Sequence, residues 1–191
     1  MALEPPVMVA ALHPVTVARE TTREADAFFG ALDEAGARHG GSLVFCWPNP
    51  DAGSRDLAER ARAHCEARGH ARLVVNLEPE LYWSLLAEAD VMIGNSSSAI
   101  MESASLALPA VDVGMRQQGR ERARNVLHAE ADAGAIAARA ADALEPGFRA
   151  SLEGLENPYG DGRAAERIVE VLTSVPLDER LRVKAPCPIP D

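Results

Sequence analysis

Five small residues in a row, Gly94-Asn95-Ser96-Ser97-Ser98, stand between a short apolar run, Val91-Met92-Ile93, and the helix-favouring stretch Ala99-Ile100-Met101-Glu102-Ser103-Ala104. The apolar run is too short for a helix and is bounded by polar residues, which suits a strand buried on both faces of a parallel sheet. A strand, a tight polar turn and a helix start together make an anion site. Unpaired backbone N–H groups and the positive end of the helix dipole point at whatever sits above the turn, and the serine hydroxyls add donors. Phosphate is the natural occupant. Glu102, a turn or more into the helix, can accept from a vicinal diol, as an acidic residue does for a ribose in dinucleotide folds. The plainer reading of the same residues is a helix cap at Ser96 or Ser97, with Glu102 a solvated helix residue.

Other residues with usable chemistry follow apolar runs in the same way. His13 ends the first of them, where an imidazole can meet a phosphate or work as acid or base near neutral pH, or simply bond a neighbouring backbone group. Asn49 sits in the polar turn Pro48 to Ser54, as ligand contact or as turn former. Arg116 follows Gly114 and can approach a diphosphate, whereas Arg120, Arg122 and Arg124 read as a solvated, locally paired face. No Ser-His-Asp set with an elbow motif, no pair of catalytic carboxylates at an evident spacing and no Walker-type loop is present.

The elements that must carry these residues alternate. Val7 to Leu12, Ser42 to Trp47, Arg72 to Leu77, Val91 to Ile93, Ala110 to Gly114 and Asn125 to Leu127 read as strands. Between them, helices are expected from Thr21 or Thr22 to His39, from Ser54 to Ala67, from Pro79 to Glu88 and after Ser98, and from Asp132 to Leu144 beyond the sixth strand. Ala25, Phe28, Phe29, Leu32 and Ala35 form the buried face of the first. Glu145 to Asp161 reads as a loop, Gly162 to Thr173 as a last helix, and Val175 to Asp191, with its prolines, as a tail or arm. Strict alternation predicts an α/β fold: a Rossmann-like, doubly wound parallel sheet of about six strands with right-handed crossovers. Ligands of such sheets sit outside the carboxyl ends of the strands, where strand order reverses. The turns at His13-Pro14, Pro48 to Ser54, Leu77-Glu78, Gly94 to Ser98 and Gly114 to Gly119 all crowd that rim.

With 191 residues one domain is expected, here 1–174, followed by the tail 175–191. Acidic residues outnumber basic ones 29 to 19, which argues against nucleic acid and membrane surfaces as partners. No apolar stretch approaches a membrane span and no basic-then-apolar leader opens the chain, so a cytoplasmic protein is expected. Cys46, Cys65 and Cys187 are odd in number and widely spaced, and imply neither a disulfide framework nor a zinc site; Cys46 reads as a core filler. No metal and no cofactor is expected.

Five motifs carry a family resemblance: A-L-H-P-V-T at 11–16, P-N-P-D-A-G-S-R at 48–55, A-D-V-M-I-G-N-S-S-S-A-I-M-E at 89–102, G-M-R-Q-Q-G-R-E-R-A-R-N-V at 114–126 and N-P-Y-G-D-G-R-A-A-E-R-I at 157–168. In this order they resemble the UDP-N-acetylglucosamine 2-epimerases over about residues 7–173, most of all the hydrolysing branch that serves nonulosonic acid synthesis. The resemblance implies that Ser96 and Ser97 hold the UDP diphosphate, Glu102 the ribose hydroxyls and Arg116 a further phosphate or sugar contact. It also implies that His13 faces the reacting sugar as the catalytic group, that Asn49 reaches the ligand, and that backbone near Leu77 meets the uracil. Family members have a two-domain glycosyltransferase-B fold, of which this chain matches the C-terminal half. The other half would carry most of the acid/base carboxylates for eliminating UDP to a glycal. The partners expected are therefore UDP or a UDP-sugar, and an N-terminal epimerase half or a second copy covering a rim that carries His13, Trp47 and Met115 to Gln118. The alternative is a stand-alone UDP-sugar binding module without turnover.

Overall fold

The computed structural model describes residues 2–15 and 21–183, without the side chains of 21–23 and 180. Six strands, β1 (Val7–Ala11), β2 (Ser42–Cys46), β3 (Ala71–Val74), β4 (Val91–Gly94), β5 (Ala110–Val113) and β6 (Val126–Ala129), form one sheet in the order β3-β2-β1-β4-β5-β6. Every neighbouring pair is parallel. Strand order reverses between β1 and β4, so the expected ligand crevice lies above that boundary.

Alternation of side chains along β1 splits the core. Met8, Ala10 and Leu12 face α1 (Thr21–His39), α2 (Ser54–Glu66) and α5 (Ala133–Leu144), while Val7, Val9 and Ala11 face α3 (Pro79–Glu88) and Ala99. The face of α1 read from its spacing is buried throughout, and Phe28, Phe29 and Phe45 pack ring against ring with centroids 5.7–6.2 Å apart. The sheet is thus doubly wound with helices on both faces, an α/β fold as expected. The capping expected of Thr21 or Thr22 rests on side chains outside the described residues.

Several boundaries move, each for a local reason. β3 stops at Val74 instead of reaching Leu77, because Asn76 turns into the left-handed region at φ 52°. The helix expected over 99–104 is a single turn, α4 (Ser98–Met101), followed by a 3₁₀ turn (Ser103–Leu106). The Ser103 hydroxyl donates back to the carbonyl of Ala99 at 2.7 Å and itself accepts from Asn125 Nδ2 at 2.8 Å, while Ala107 adopts φ 46°; local side-chain bonding has displaced the helix ladder. β6 runs to Ala129 rather than Leu127. The loop expected at 145–161 contains α6 (Pro146–Ala150), with proline in its first turn, and the tail contains the short helix α8 (Glu179–Arg182). Cys187 and the last three prolines lie outside the described residues.

Two compact units divide the chain, one up to Tyr159 and one from Gly160 on. The first holds the sheet. The second contains α7 (Ala164–Ser174), whose Ile168, Val169, Val171 and Leu172 are exposed, with Arg167 gripping Asp161 through both oxygens at 2.7–2.8 Å.

Candidate nucleotide site

The site grows from the end of the β1–β4 ladder. The last register pair is Ala11 with Gly94, and the chains come so close there that a Cβ on Gly94 would stand 1.9 Å from the Ala11 carbonyl oxygen. Gly94 also has φ 145°, so only glycine closes this turn. One residue on, the Asn95 N–H donates to Ala11 O at 3.1 Å, while its side chain faces His13: Oδ1 accepts the His13 N–H at 2.7 Å and Nδ2 donates to the His13 carbonyl at 2.9 Å. The Asn95 carbonyl accepts from Arg116 Nη1 at 3.0 Å and from Gln117 Nε2 at 2.8 Å. His13 Nδ1 in turn accepts the backbone N–H of Asn49 at 3.0 Å.

These bonds gather His13, Asn49, Ser96, Ser97 and Arg116 around one cavity of about 260 Å³, which Cys46, Trp47, Tyr82 and Ser98 complete. Five of the seven expected residues therefore meet. Glu102 and Leu77 do not line the cavity: Glu102 lies one turn past Ser98, whose carbonyl accepts its N–H at 3.1 Å, and Leu77 sits in the turn beyond β3. Glu102 Oε2 is nevertheless buried and has no hydrogen-bond partner among the described residues, so a carboxylate acceptor is unspent there.

The donors are likewise unspent. Among the described residues the N–H groups of Ser96 and Ser97 reach no protein acceptor, and Ser97 makes no side-chain capping bond, although it holds the cap position of α4. The Ser96 hydroxyl accepts from Ser98 N at a long 3.3 Å. The cap explanation therefore leaves the Ser97 hydroxyl without use. Because α4 is one turn long, little helix dipole is available; the pull on an anion comes from the N–H groups, the hydroxyls and the Arg116 guanidinium.

His13 differs from its expected role. Burial, then the Arg116 charge, lower its pKa to about 4 against a weaker opposing effect of Asp51, so the ring is neutral at pH 7. With Nδ1 accepting from Asn49, the proton sits on Nε2, and His13 is a neutral hydrogen-bond donor rather than a group poised to titrate near neutrality. Nor is it an uncovered rim residue. His13 and Gln117 are buried and Trp47 half-buried under the Arg62 guanidinium, 5.6 Å from the ring centre; only Met115, half exposed, and Gln118 fit the open rim that was expected.

Tyr82 was missed: the helix expected from Pro79 to Glu88 carried no site residue, yet Tyr82 on α3 lines the cavity. Burial pushes the pKa of its hydroxyl up to about 12. Cys46 is a partial filler, packed on the core while lining the cavity, and burial raises its thiol to about 12. Arg122 is no solvated surface charge: its Nε and Nη2 both donate to Asp112 Oδ2, at 3.1 and 2.6 Å, and Asp112 is fully buried.

Known proteins resemble this chain in sequence and in fold. A UDP-N,N'-diacetylbacillosamine 2-epimerase (hydrolysing) of Legionella pneumophila is 34% identical over 140 residues, covering 73% of this chain and 36% of that protein. A GDP/UDP-N,N'-diacetylbacillosamine 2-epimerase (hydrolysing) of Campylobacter jejuni is 33% identical over 132 residues, covering 68% and 34%. Among solved structures, Staphylococcus aureus MnaA with UDP superposes with a TM-score of 0.68 at 16% identity, over 87% of this chain and 44% of that one. The Neisseria meningitidis UDP-GlcNAc 2-epimerase bound to UDP-GlcNAc gives 0.65 at 17%, over 90% and 45%. The chain thus spans about a third of the length of these curated relatives and under half of these structures, and its sheet has the fold of one half of a glycosyltransferase-B protein. The family model for UDP-N-acetylglucosamine 2-epimerase matches residues 2–173, nearly all of the described chain, and the protein belongs to that family.

Proposed function

We propose that this chain is the UDP-binding half of a UDP-N-acetylglucosamine 2-epimerase, acting on UDP-N-acetylglucosamine or a related UDP-sugar. The observation that carries this reading is the set of unspent groups over the β1/β4 boundary. The Ser96 and Ser97 N–H groups, the Ser97 hydroxyl and the Arg116 guanidinium converge on one cavity, with the orphaned Glu102 carboxylate one turn away. A diphosphate takes the first set and ribose hydroxyls satisfy Glu102. Asn49 reaches the ligand from the β2 turn. Uracil meets the backbone near Leu77: from the β1/β4 boundary to the end of β3 is about 12 Å across the strand spacings, within the span of a nucleoside diphosphate.

His13 faces the sugar. Its Nε2–H stabilises the departing phosphate oxygen as the bond from sugar to UDP breaks, which needs a neutral donor rather than a base. Carboxylates for the proton transfers come from an N-terminal epimerase half, as a separate chain or as further sequence, or from a second copy; they are not supplied by the cavity described above. The domain proposed for the nucleotide is 1–174, and its cavity lies wholly in the unit that ends at Tyr159. A hydrolysing outcome, with release of UDP, is supported by the two curated relatives, both hydrolysing 2-epimerases; in this reading the manno epimer is released in the cytoplasm for nonulosonic acid synthesis.

Titration calorimetry with UDP tests the site. Ser97→Ala and Glu102→Ala each lower affinity by about 1.5–3 kcal/mol, roughly ten-fold to a hundred-fold. Unchanged affinity in both variants removes the site. Turnover is tested separately: this chain together with an N-terminal half converts UDP-N-acetylglucosamine to UDP and N-acetylmannosamine. If it never does so while UDP still binds, the component reading fails and a UDP-sugar binding module remains.

A further inference from the structure

Three of the loops that line the cavity follow different strands, and no covalent feature sets their spacing. The register of β1 with β4 ends at Ala11 and Gly94, and after the Asn95 N–H bond to Ala11 the described residues show no further main-chain bond between the two segments. The Asn95 side chain supplies the missing rung. A carboxamide has the shape of a peptide group, with one acceptor and two donors, and here it engages both the N–H and the carbonyl of His13 at 2.7 and 2.9 Å. Aspartate lacks the donor, serine has no such fork, and glutamine is one methylene too long for a turn this tight.

Asn95 also works from its other end. Its carbonyl has two lone pairs, and Arg116 and Gln117 take one each. His13 then passes the constraint on, its ring accepting from the Asn49 amide. A single chain of hydrogen bonds therefore runs from the loop after β5, through Asn95 and His13, to the loop after β2. Asn95 is 1% exposed and does not line the cavity, so it acts only through the residues it holds.

We propose that Asn95 is the positioning residue of this site: its side chain fixes the His13 backbone and its carbonyl fixes Arg116 and Gln117. The distance between the imidazole donor and the guanidinium is thereby set by one residue. Such buried polar networks are worth most when fully satisfied, and each bond lost here releases a loop rather than a surface group.

The experiment compares this chain with Asn95→Ala and Asn95→Asp, after circular dichroism has shown which variants fold. The first readout needs no ligand: long-range ¹⁵N NMR of the His13 ring. The wild-type chain shows the Nε2–H tautomer with a pKa near 4. In the variants the ring leaves the Asn49 amide, so both tautomers appear and the pKa moves toward the 6.5 of a free histidine, under the remaining influence of Arg116 and Asp51. The second readout, UDP affinity by calorimetry, rests on the nucleotide reading above and falls at least about ten-fold. A folded variant with the wild-type tautomer and wild-type UDP affinity overturns the proposal. If the wild-type chain binds no UDP, the nucleotide reading fails while the His13 ring still decides the role of Asn95. Should neither variant fold, the wild-type chain decides: Asn95 side-chain amide protons protected from exchange support the role, and exchange at the rate of a free amide overturns it.

Discussion

Two buried polar clusters sit side by side on this sheet, and they handle their hydrogen-bonding capacity in opposite ways. At the end of β5 and along β6, Asp112 is fully buried and closed in by charge, with Arg122 on one oxygen and His128 Nδ1 at 3.5 Å from the same atom; His128 Nε2 lies 3.6 Å from Glu130. At the end of β1 and β4, the buried groups His13, Asn95 and Gln117 are neutral and bond one another. Of their buried side-chain atoms only Gln117 Oε1 is left without a partner among the described residues, and beside them lies an open cavity edged with free donors. Burial of polar groups is common to both, so burial does not mark a binding site. The distinction lies in what is left over: beside its ion pair the first cluster leaves a lone acceptor, Asp112 Oδ1, sealed in the interior, whereas the second leaves two N–H groups, a hydroxyl and a cation facing the same space.

The comparison breaks most clearly at Asp112. Asp112→Ala removes the carboxylate and leaves Arg122, which is part-exposed, without its partner; stability falls by about 3 kcal/mol in urea denaturation. UDP affinity of the folded variant falls less than in Arg116→Ala, since Arg116 and Gln117 are held at Asn95 and not at Asp112. A larger affinity loss at Asp112 than at Arg116 would merge the two clusters into one.

Acid should separate them next. A histidine with a folded pKa of about 4 and an unfolded value of 6.5 binds its proton more readily in the unfolded chain. Above pH 6.5 it is neutral in both states and contributes nothing to the pH dependence. As pH falls from 6.5 toward 4 it costs the fold up to about 3 kcal/mol. Urea midpoints of His13→Asn over this interval should fall less steeply than those of the parent. Parallel slopes would show that His13 is not held neutral.

At the cavity edge, Arg116→Ala costs about 2 kcal/mol of UDP affinity, read by calorimetry, with little loss of stability because the side chain is only half-buried. Bound diphosphate should also raise the His13 pKa by about one unit or more, because an anion now faces the ring. An NMR titration with and without UDP checks the direction. The smallest effect belongs to the second unit: Leu172 is 68% exposed, and Leu172→Ser changes the stability of this chain by less than about 0.5 kcal/mol.

Much of this molecule was legible from residue types and their order. The apolar runs and the alternation with helices specify a parallel sheet, since a strand buried on both faces has no polar positions and a parallel partner needs a crossover. The α1 face follows from a period that any amphipathic helix must obey, and Gly94 from a turn that no side chain can enter. The serine turn is local too, because the first N–H groups of a helix have no partner within it whatever the rest of the chain does.

Other features depended on residues far apart in the chain. Thr21 to His39 forms a helix of 19 residues by its own pattern, but the stretch after Ser98 makes only a single α-helical turn because Asn125, arriving from another loop, holds the Ser103 hydroxyl that caps the break. Arg122 looks like a surface charge beside Arg120 and Arg124 until the sheet places it against Asp112, ten residues back. His13 has an ordinary histidine's range in isolation; its neutrality comes from burial and from Arg116, 103 positions on. Asn95 is one of four polar residues in its turn, and only the meeting of β1 with β4 turns its amide toward His13. Local geometry is encoded by neighbours three or four residues away, whereas pKa values, ion pairs and the partners of a buried amide are set by whatever the fold brings within a few ångströms.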